Sequence, residues 1–208
     1  MRTWILAGIA TLALTGAAQA QTFGQGVAVG APAPAFTAVD VNGKSVNLAD
    51  YKGKTVVLEW TNNGCPFVRA NYDSGAMQKT QAAAKDQGVV WLTILSSAPG
   101  TQGFLTADQA KADIAKEKAS PTAYLLDPDG KVGKTYGAKT TPHMFVITPE
   151  QKIAYMGAID DKATAKASDH PAAKNYVTAA LQNLAGGKAP DPASTTPYGC
   201  SVKYAGQS

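Results

Sequence analysis

The stretch Thr-Val-Val-Leu-Glu-Trp over residues 55–60 is apolar at nearly every position, and within six residues it gives way to Pro66 and a helical pattern. A strand apolar on both faces has to be covered on both, which is the habit of parallel sheets with helices packed above and below. Proline opens a helix without cost, because its missing N–H is one that the first turn leaves unpaired anyway. Between strand and helix stands Cys65. A sulfur at a helix N-terminus faces partial positive charge and free N–H groups, which favour thiolate over thiol.

The same alternation continues along the chain. The Asn42-Gly43 pair inside 39–46 predicts an N-terminal hairpin, since both turn positions must accept positive φ. The helix after Pro66 is expected to reach about Lys85, and 89–95 reads as a second buried strand. Thr106 and Gln109 form a capping box ahead of a helix to about Ala119. Residues 123–127 are strand, Asp127-Pro128-Asp129-Gly130 a turn, 144–148 and 153–158 a terminal hairpin, and 171–185 a last helix. The fold class is therefore α/β, a three-layer α/β/α sandwich with an N-terminal hairpin. Residues 22–38 read as an extended leader, and from Gly186 the chain is rich in Gly, Pro, Ser and Thr and reads as irregular.

Residues 1–20 carry Arg2, an apolar run and Ala18-Gln19-Ala20, the pattern of a cleaved signal peptide. The expected organisation is a signal peptide over 1–20, one domain over 21–187 and a tail over 188–208. Export to a periplasm or to the outside follows, with no segment reaching the roughly 18–20 apolar residues of a membrane span. The lysines are scattered among acids, so no basic stripe marks a nucleic-acid partner. Oligomeric state is not readable from these features.

Two cysteines remain, Cys65 and Cys200. Any redox cycle within the molecule must use that pair, with Cys200 resolving Cys65 after each turnover, pinning the tail as a static bridge, or standing as an independent, unpaired thiol. Arg69 lies one helical turn beyond Cys65 and is the candidate cation for it. His143 is a second titratable candidate, although strand alternation can equally turn it away. His170, before Pro171, reads as part of a helix start. Asn62, Asn63 and Thr141 are neutral polar groups at the rim, suited to binding substrate or to shaping a loop. Trp60, Trp91 and Tyr136 read as core, and Asp127, Asp129, Asp160 and Asp161 as solvated turn residues. The residues offer no metal set and imply no cofactor.

With the strand–Cys65–helix junction and Tyr136-Gly137-Ala138-Lys139-Thr140-Thr141-Pro142 in order, residues 30–187 resemble the thioredoxin superfamily, and within it the peroxiredoxin-like redoxin group. The resemblance implies a thioredoxin-like sandwich, a cis bond at Pro142 lying against Cys65, and a nucleophilic role for Cys65. It also makes Glu59, six residues before Cys65, the counterpart of a buried acid that relays protons. The departures are as informative. Val68 stands where thioredoxins keep the second cysteine of Cys-x-x-Cys, and the peroxidatic Pro-x-x-x-Thr-x-x-Cys motif is absent. Arg69 is the only arginine after residue 20, so the remote arginine of peroxiredoxins is missing. Three functions follow as expectations: a thiol-disulfide oxidoreductase acting on a protein or small-molecule thiol, a thiol peroxidase with antioxidant activity, or a thioredoxin-fold binding module without catalysis.

Overall fold

The computed structural model describes residues 27–206; the expected signal peptide lies outside them. Nine strands form, β1 (Thr37–Asp40), β2 (Ser45–Asn47), β3 (Val56–Trp60), β4 (Val90–Leu95), β5 (Ala123–Leu126), β6 (Thr140–Thr141), β7 (His143–Ile147), β8 (Ile153–Gly157) and β9 (Cys200–Ser201). Five α-helices accompany them, α1 (Pro66–Asp73), α2 (Ala76–Asp86), α3 (Ala107–Glu117), α4 (Lys131–Tyr136) and α5 (Tyr176–Ala185). Seven strands make one sheet in the order β2-β1-β5-β4-β3-β7-β8, while β6 and β9 pair separately. The central β5-β4-β3 run is parallel and β7 joins β3 antiparallel. All residues of β3 and β4 are buried, as a strand apolar on both faces requires.

Alternation along these strands sorts the core into layers. Val57, Trp91, Met144 and Val146 pack on one face against Val68 and Tyr72 of α1, Met77 and Ala84 of α2, and Val177 and Leu181 of α5. Val56, Leu58, Trp60, Leu92 and Phe145 face the other way, onto Phe36, Leu48, Tyr136 of α4 and the tail residues Val202 and Tyr204. Trp60 is fully buried, with Tyr136 and Phe145 at ring-centroid distances of 5.5 and 5.2 Å. Each such aromatic pair adds about 0.5–1.5 kcal/mol beyond the area it buries. Among the described residues this second layer holds α4 and a single 3-10 turn over Leu48–Tyr51, with leader and tail packed beside them.

Several boundaries differ from the sequence expectation. The helix after Pro66 is broken at Ser74-Gly75, where Gly75 takes a left-handed φ of +77°. The last helix starts at Tyr176, where the side chain of Asn175 accepts the Thr178 N–H and caps it. Helix α4 is absent from the sequence reading, and Asp127 explains it. Its carboxylate is buried and accepts the N–H groups of Val132 and Gly133, so it holds the start of that helix rather than facing solvent. Asp160 and His170 are likewise buried, His170 Nδ1 lying 2.8 Å from Asp160 Oδ2. Among the described residues no helix is long and apolar enough to cross a membrane.

Candidate functional site

Cys65 is the N-cap residue of α1, with φ/ψ of −83°/121°, and Pro66 follows as the first helical residue. The preceding turn is held by Asn62. Its side-chain oxygen accepts the Gly64 N–H at 2.8 Å, and its amide nitrogen donates to Ser97 Oγ and the Gln102 carbonyl. Asn62 is fully buried, so it braces the loop that aims Cys65 instead of standing at a substrate rim. Asn63 is half-buried.

Cys65 has no exposed surface. Its thiol donates to the Thr141 carbonyl at 3.0 Å, and the peptide bond from Thr141 to Pro142 is cis. Strand β9 lies antiparallel to β6 with Thr141 opposite Cys200, and Cys200 packs against the cluster that contains Cys65. Two cysteines 135 positions apart in sequence are thus brought into one cluster. Both cysteines are free thiols in this structure.

The pair is electrically asymmetric. Burial pushes the Cys65 thiol up, but hydrogen bonds from the Cys200 thiol, the Val68 and Cys200 N–H groups and the Thr141 hydroxyl outweigh it, and its pKa lies below that of ordinary cysteine. Cys200 goes the other way, raised to about 11 by burial, by donating to Cys65 and by the charge there. With one sulfur lowered and its neighbour raised, Cys65 is the first of the two to give up its proton. Titration of thiolate absorbance in the reduced protein should show one step below the ordinary cysteine range and a second near 11. Cys200→Ala should move the first step upward, because its strongest stabilising donor is gone. An unmoved first step would mean that Cys200 does not tune Cys65.

The other sequence candidates distribute differently. Arg69 pairs with Glu117 and Asp73 on the outer side of α1. Two carboxylates hold the guanidinium there, and that corrects its expected place as the cation for Cys65. His143 turns to the opposite sheet face, stacked on Phe145 at 4.5 Å, and its Nδ1 accepts the Lys139 N–H. Burial, with the Lys139 charge, lowers it to about 4, so the ring is neutral at ordinary pH. Its neighbour Met144 is the residue facing the Cys65 layer.

Glu59 is fully buried at the centre of the sheet. Four donors reach its carboxylate: Tyr72 Oη at 2.8 Å, Trp91 Nε1 at 2.7 Å, Thr93 Oγ1 at 3.0 Å and Gln81 Nε2 at 3.2 Å. Burial raises its pKa and outweighs the four bonds that lower it. These partners are distinct from those of Cys65, so the acid and the thiol belong to separate hydrogen-bond sets within one layer. Among the described residues no three His, Cys, Asp or Glu side chains gather as a metal site.

A buried low-pKa cysteine at a strand–helix junction, against a cis-proline loop, is the arrangement that the sequence resemblance implies. The Redoxin family profile matches residues 28–176. The chain belongs to the Redoxin family. This redoxin is 26% identical over 131 residues to the thiol-disulfide oxidoreductase ResA of Bacillus subtilis, covering 58% of this chain and 73% of that protein. Probable glutathione peroxidase 2 of Arabidopsis thaliana is 26% identical over 147 residues, 53% of this chain and 86% of its own length. An uncharacterized conserved protein from Geobacillus kaustophilus, known from a crystal structure, superposes with a TM-score of 0.73 at 26% identity, covering 90% of this chain and 96% of that one.

Three residues of this redoxin's site escape the sequence reading: Tyr198, Asp160 and His170. Tyr198 Oη donates to Asp160 Oδ1 at 2.6 Å, and Asp160 is held in turn by His170. Together they fasten the tail just before Cys200. The usable signal is weak: a tyrosine two residues before the only tail cysteine, in a segment otherwise poor in large side chains.

Proposed function

We propose that this redoxin is an exported thiol-disulfide oxidoreductase in which Cys65 attacks a substrate disulfide and Cys200 resolves the mixed disulfide. The observation that carries it is the placing of Cys200 opposite Thr141, whose carbonyl accepts the Cys65 thiol. Thiolate attack on a disulfide sulfur gives Cys65 bound to one half of the substrate and releases the other half as a thiolate. Cys200, on losing its proton, then attacks the Cys65 sulfur, forming the Cys65–Cys200 disulfide and releasing the second half. An external thiol or dithiol resets the pair. The kinship with ResA supports this chemistry, and the residue 1–20 pattern supports export through a cleaved signal peptide, with 21–187 as the catalytic domain and 188–208 as the tail.

Peroxide reduction has the support of the glutathione peroxidase relative, but the site favours exchange. Developing negative charge on a peroxide's leaving oxygen calls for a cation beside the sulfur. Here Arg69 is taken by Glu117 and Asp73. The deciding assay follows insulin disulfide reduction and hydrogen peroxide consumption side by side with dithiothreitol as reductant. Catalysed insulin reduction with peroxide loss at the uncatalysed rate is expected; the reverse result would sink exchange in favour of peroxidase chemistry.

A further inference from the structure

The tail brings more than a second sulfur to Cys65. Residues 197–200 are each half-buried, lying as a strip over a cysteine with no exposed surface. Three of its positions have a fit of their own. The Tyr198 ring lies 5.9 Å from that of Phe67, in the first turn of α1, and its hydroxyl reaches Asp160 at 2.6 Å. Gly199 has φ of +120°, and a Cβ there would stand 2.0 Å from the Thr141 carbonyl oxygen, so no other residue fits. Cys200 is in strand register with Thr141 and packs against the cluster that holds Cys65.

An extended segment joined by main-chain pairing to a short free strand, with side-chain pockets at set spacings, is how proteins take peptides by strand addition. Here the chain supplies the added strand itself. We infer that Phe67, Asp160, Thr141 and Cys65 form a groove for an extended polypeptide cysteine preceded by glycine, with tyrosine two residues before it, and that residues 197–201 are its resident occupant. This rests on the proposed role of Cys65 as nucleophile. The anchors beyond the strip are separate: Val202 N–H donates to the Lys139 carbonyl and Tyr204 Oη to the Ala138 carbonyl. Opening therefore needs only the β6–β9 pair and the Tyr198 contact to part, a local event of the kind that costs far less than unfolding. An incoming polypeptide disulfide replaces the strip; Cys65 thiolate attacks its cysteine sulfur and the partner sulfur leaves as thiolate. Return of the tail then sets Cys200 against the new bond and expels the peptide as a thiol.

The test uses the full chain with Cys200→Ser, so that Cys65 is the one reacting thiol. The probe is the peptide Thr-Pro-Tyr-Gly-Cys-Ser-Val-Lys with its cysteine in mixed disulfide with thionitrobenzoate. Attack by Cys65 gives Cys65–S–S–peptide, located by mass spectrometry, and one thionitrobenzoate anion, followed by its colour. The matched peptide should react about tenfold faster than versions with alanine for tyrosine or for glycine. Adding Tyr198→Phe to the protein should speed the matched peptide further, because the resident strip is held less tightly. Equal rates for the three peptides would overturn the groove while leaving Cys65 a nucleophile. Failure of Cys65 to react even with 5,5′-dithiobis(2-nitrobenzoate) would overturn both readings.

Discussion

Cys65→Ser should bring disulfide exchange down to the uncatalysed rate, a fall of about 10³-fold or more, the scale on which loss of a nucleophile registers in other enzymes. A serine hydroxyl stays protonated, whereas the donors around Cys65 make its thiol more acidic than an ordinary cysteine. It still fits the site and can still donate to the Thr141 carbonyl, so the urea midpoint should be nearly unchanged. Cys200→Ala should act differently. The first attack survives, the mixed disulfide on Cys65 accumulates, and turnover in insulin reduction stops after one cycle unless excess small thiol is present. Steady-state turnover by the Cys65→Ser protein would remove Cys65 from the mechanism. Unaltered turnover with Cys200→Ala would leave Cys65 as a one-cysteine catalyst.

The second large effect concerns Glu59 and stability. Glu59→Leu leaves the donors of Trp91, Thr93 and Tyr72 without an acceptor inside the core, and Gln81 with the Tyr72 hydroxyl alone. Leaving a buried donor unpaired costs about 1–3 kcal/mol, and neighbouring losses do not add fully, so about 3–5 kcal/mol is expected by urea unfolding. Glu59→Gln keeps one carbonyl acceptor but turns an NH₂ toward other donors, and should cost about 1–2 kcal/mol.

The pH dependence of that difference has a definite sign. The folded-state pKa of Glu59 lies above its ordinary 4.5, so between the two values the native state binds more protons than the unfolded one. Stability from this group then falls as pH rises through the window. The glutamine variant has no such group, so its deficit relative to the native protein should shrink from pH 4.5 upward. A deficit that grows with pH would mean that the four hydrogen bonds, rather than burial, dominate at Glu59.

How much of this was legible in the sequence depends on how local each cause is. The β3–Cys65–α1 junction can be read directly, because strand pattern, loop and Pro66 are contiguous and each points the same way. The Asn42-Gly43 hairpin and the Thr106–Gln109 capping box are equally local, and both form. Helix α4 was hidden because six residues with a central glycine carry no periodicity, and its cause is a carboxylate, Asp127, that reads as part of a turn. Arg69 has the right spacing from Cys65, yet Glu117, 48 positions away, decides where its charge goes. The tail shows the limit most plainly. Its composition reads as irregular, which holds for most of it, but the two-residue strand at Cys200 exists only because Thr140–Thr141 is there to pair with it. The Tyr198–Asp160–His170 chain likewise joins residues that no local pattern links.

The proposed mechanism makes Cys65 and Cys200 working halves of one reversible pair. Its most direct measurement is the redox state of the full chain equilibrated in glutathione buffers of graded potential, quenched, alkylated and peptide-mapped. A single two-electron transition is expected between two free thiols and an intramolecular Cys65–Cys200 disulfide, fully recovered in both directions. Two thiols that stay free in the most oxidising buffer, or cysteines linked only between molecules, would contradict it.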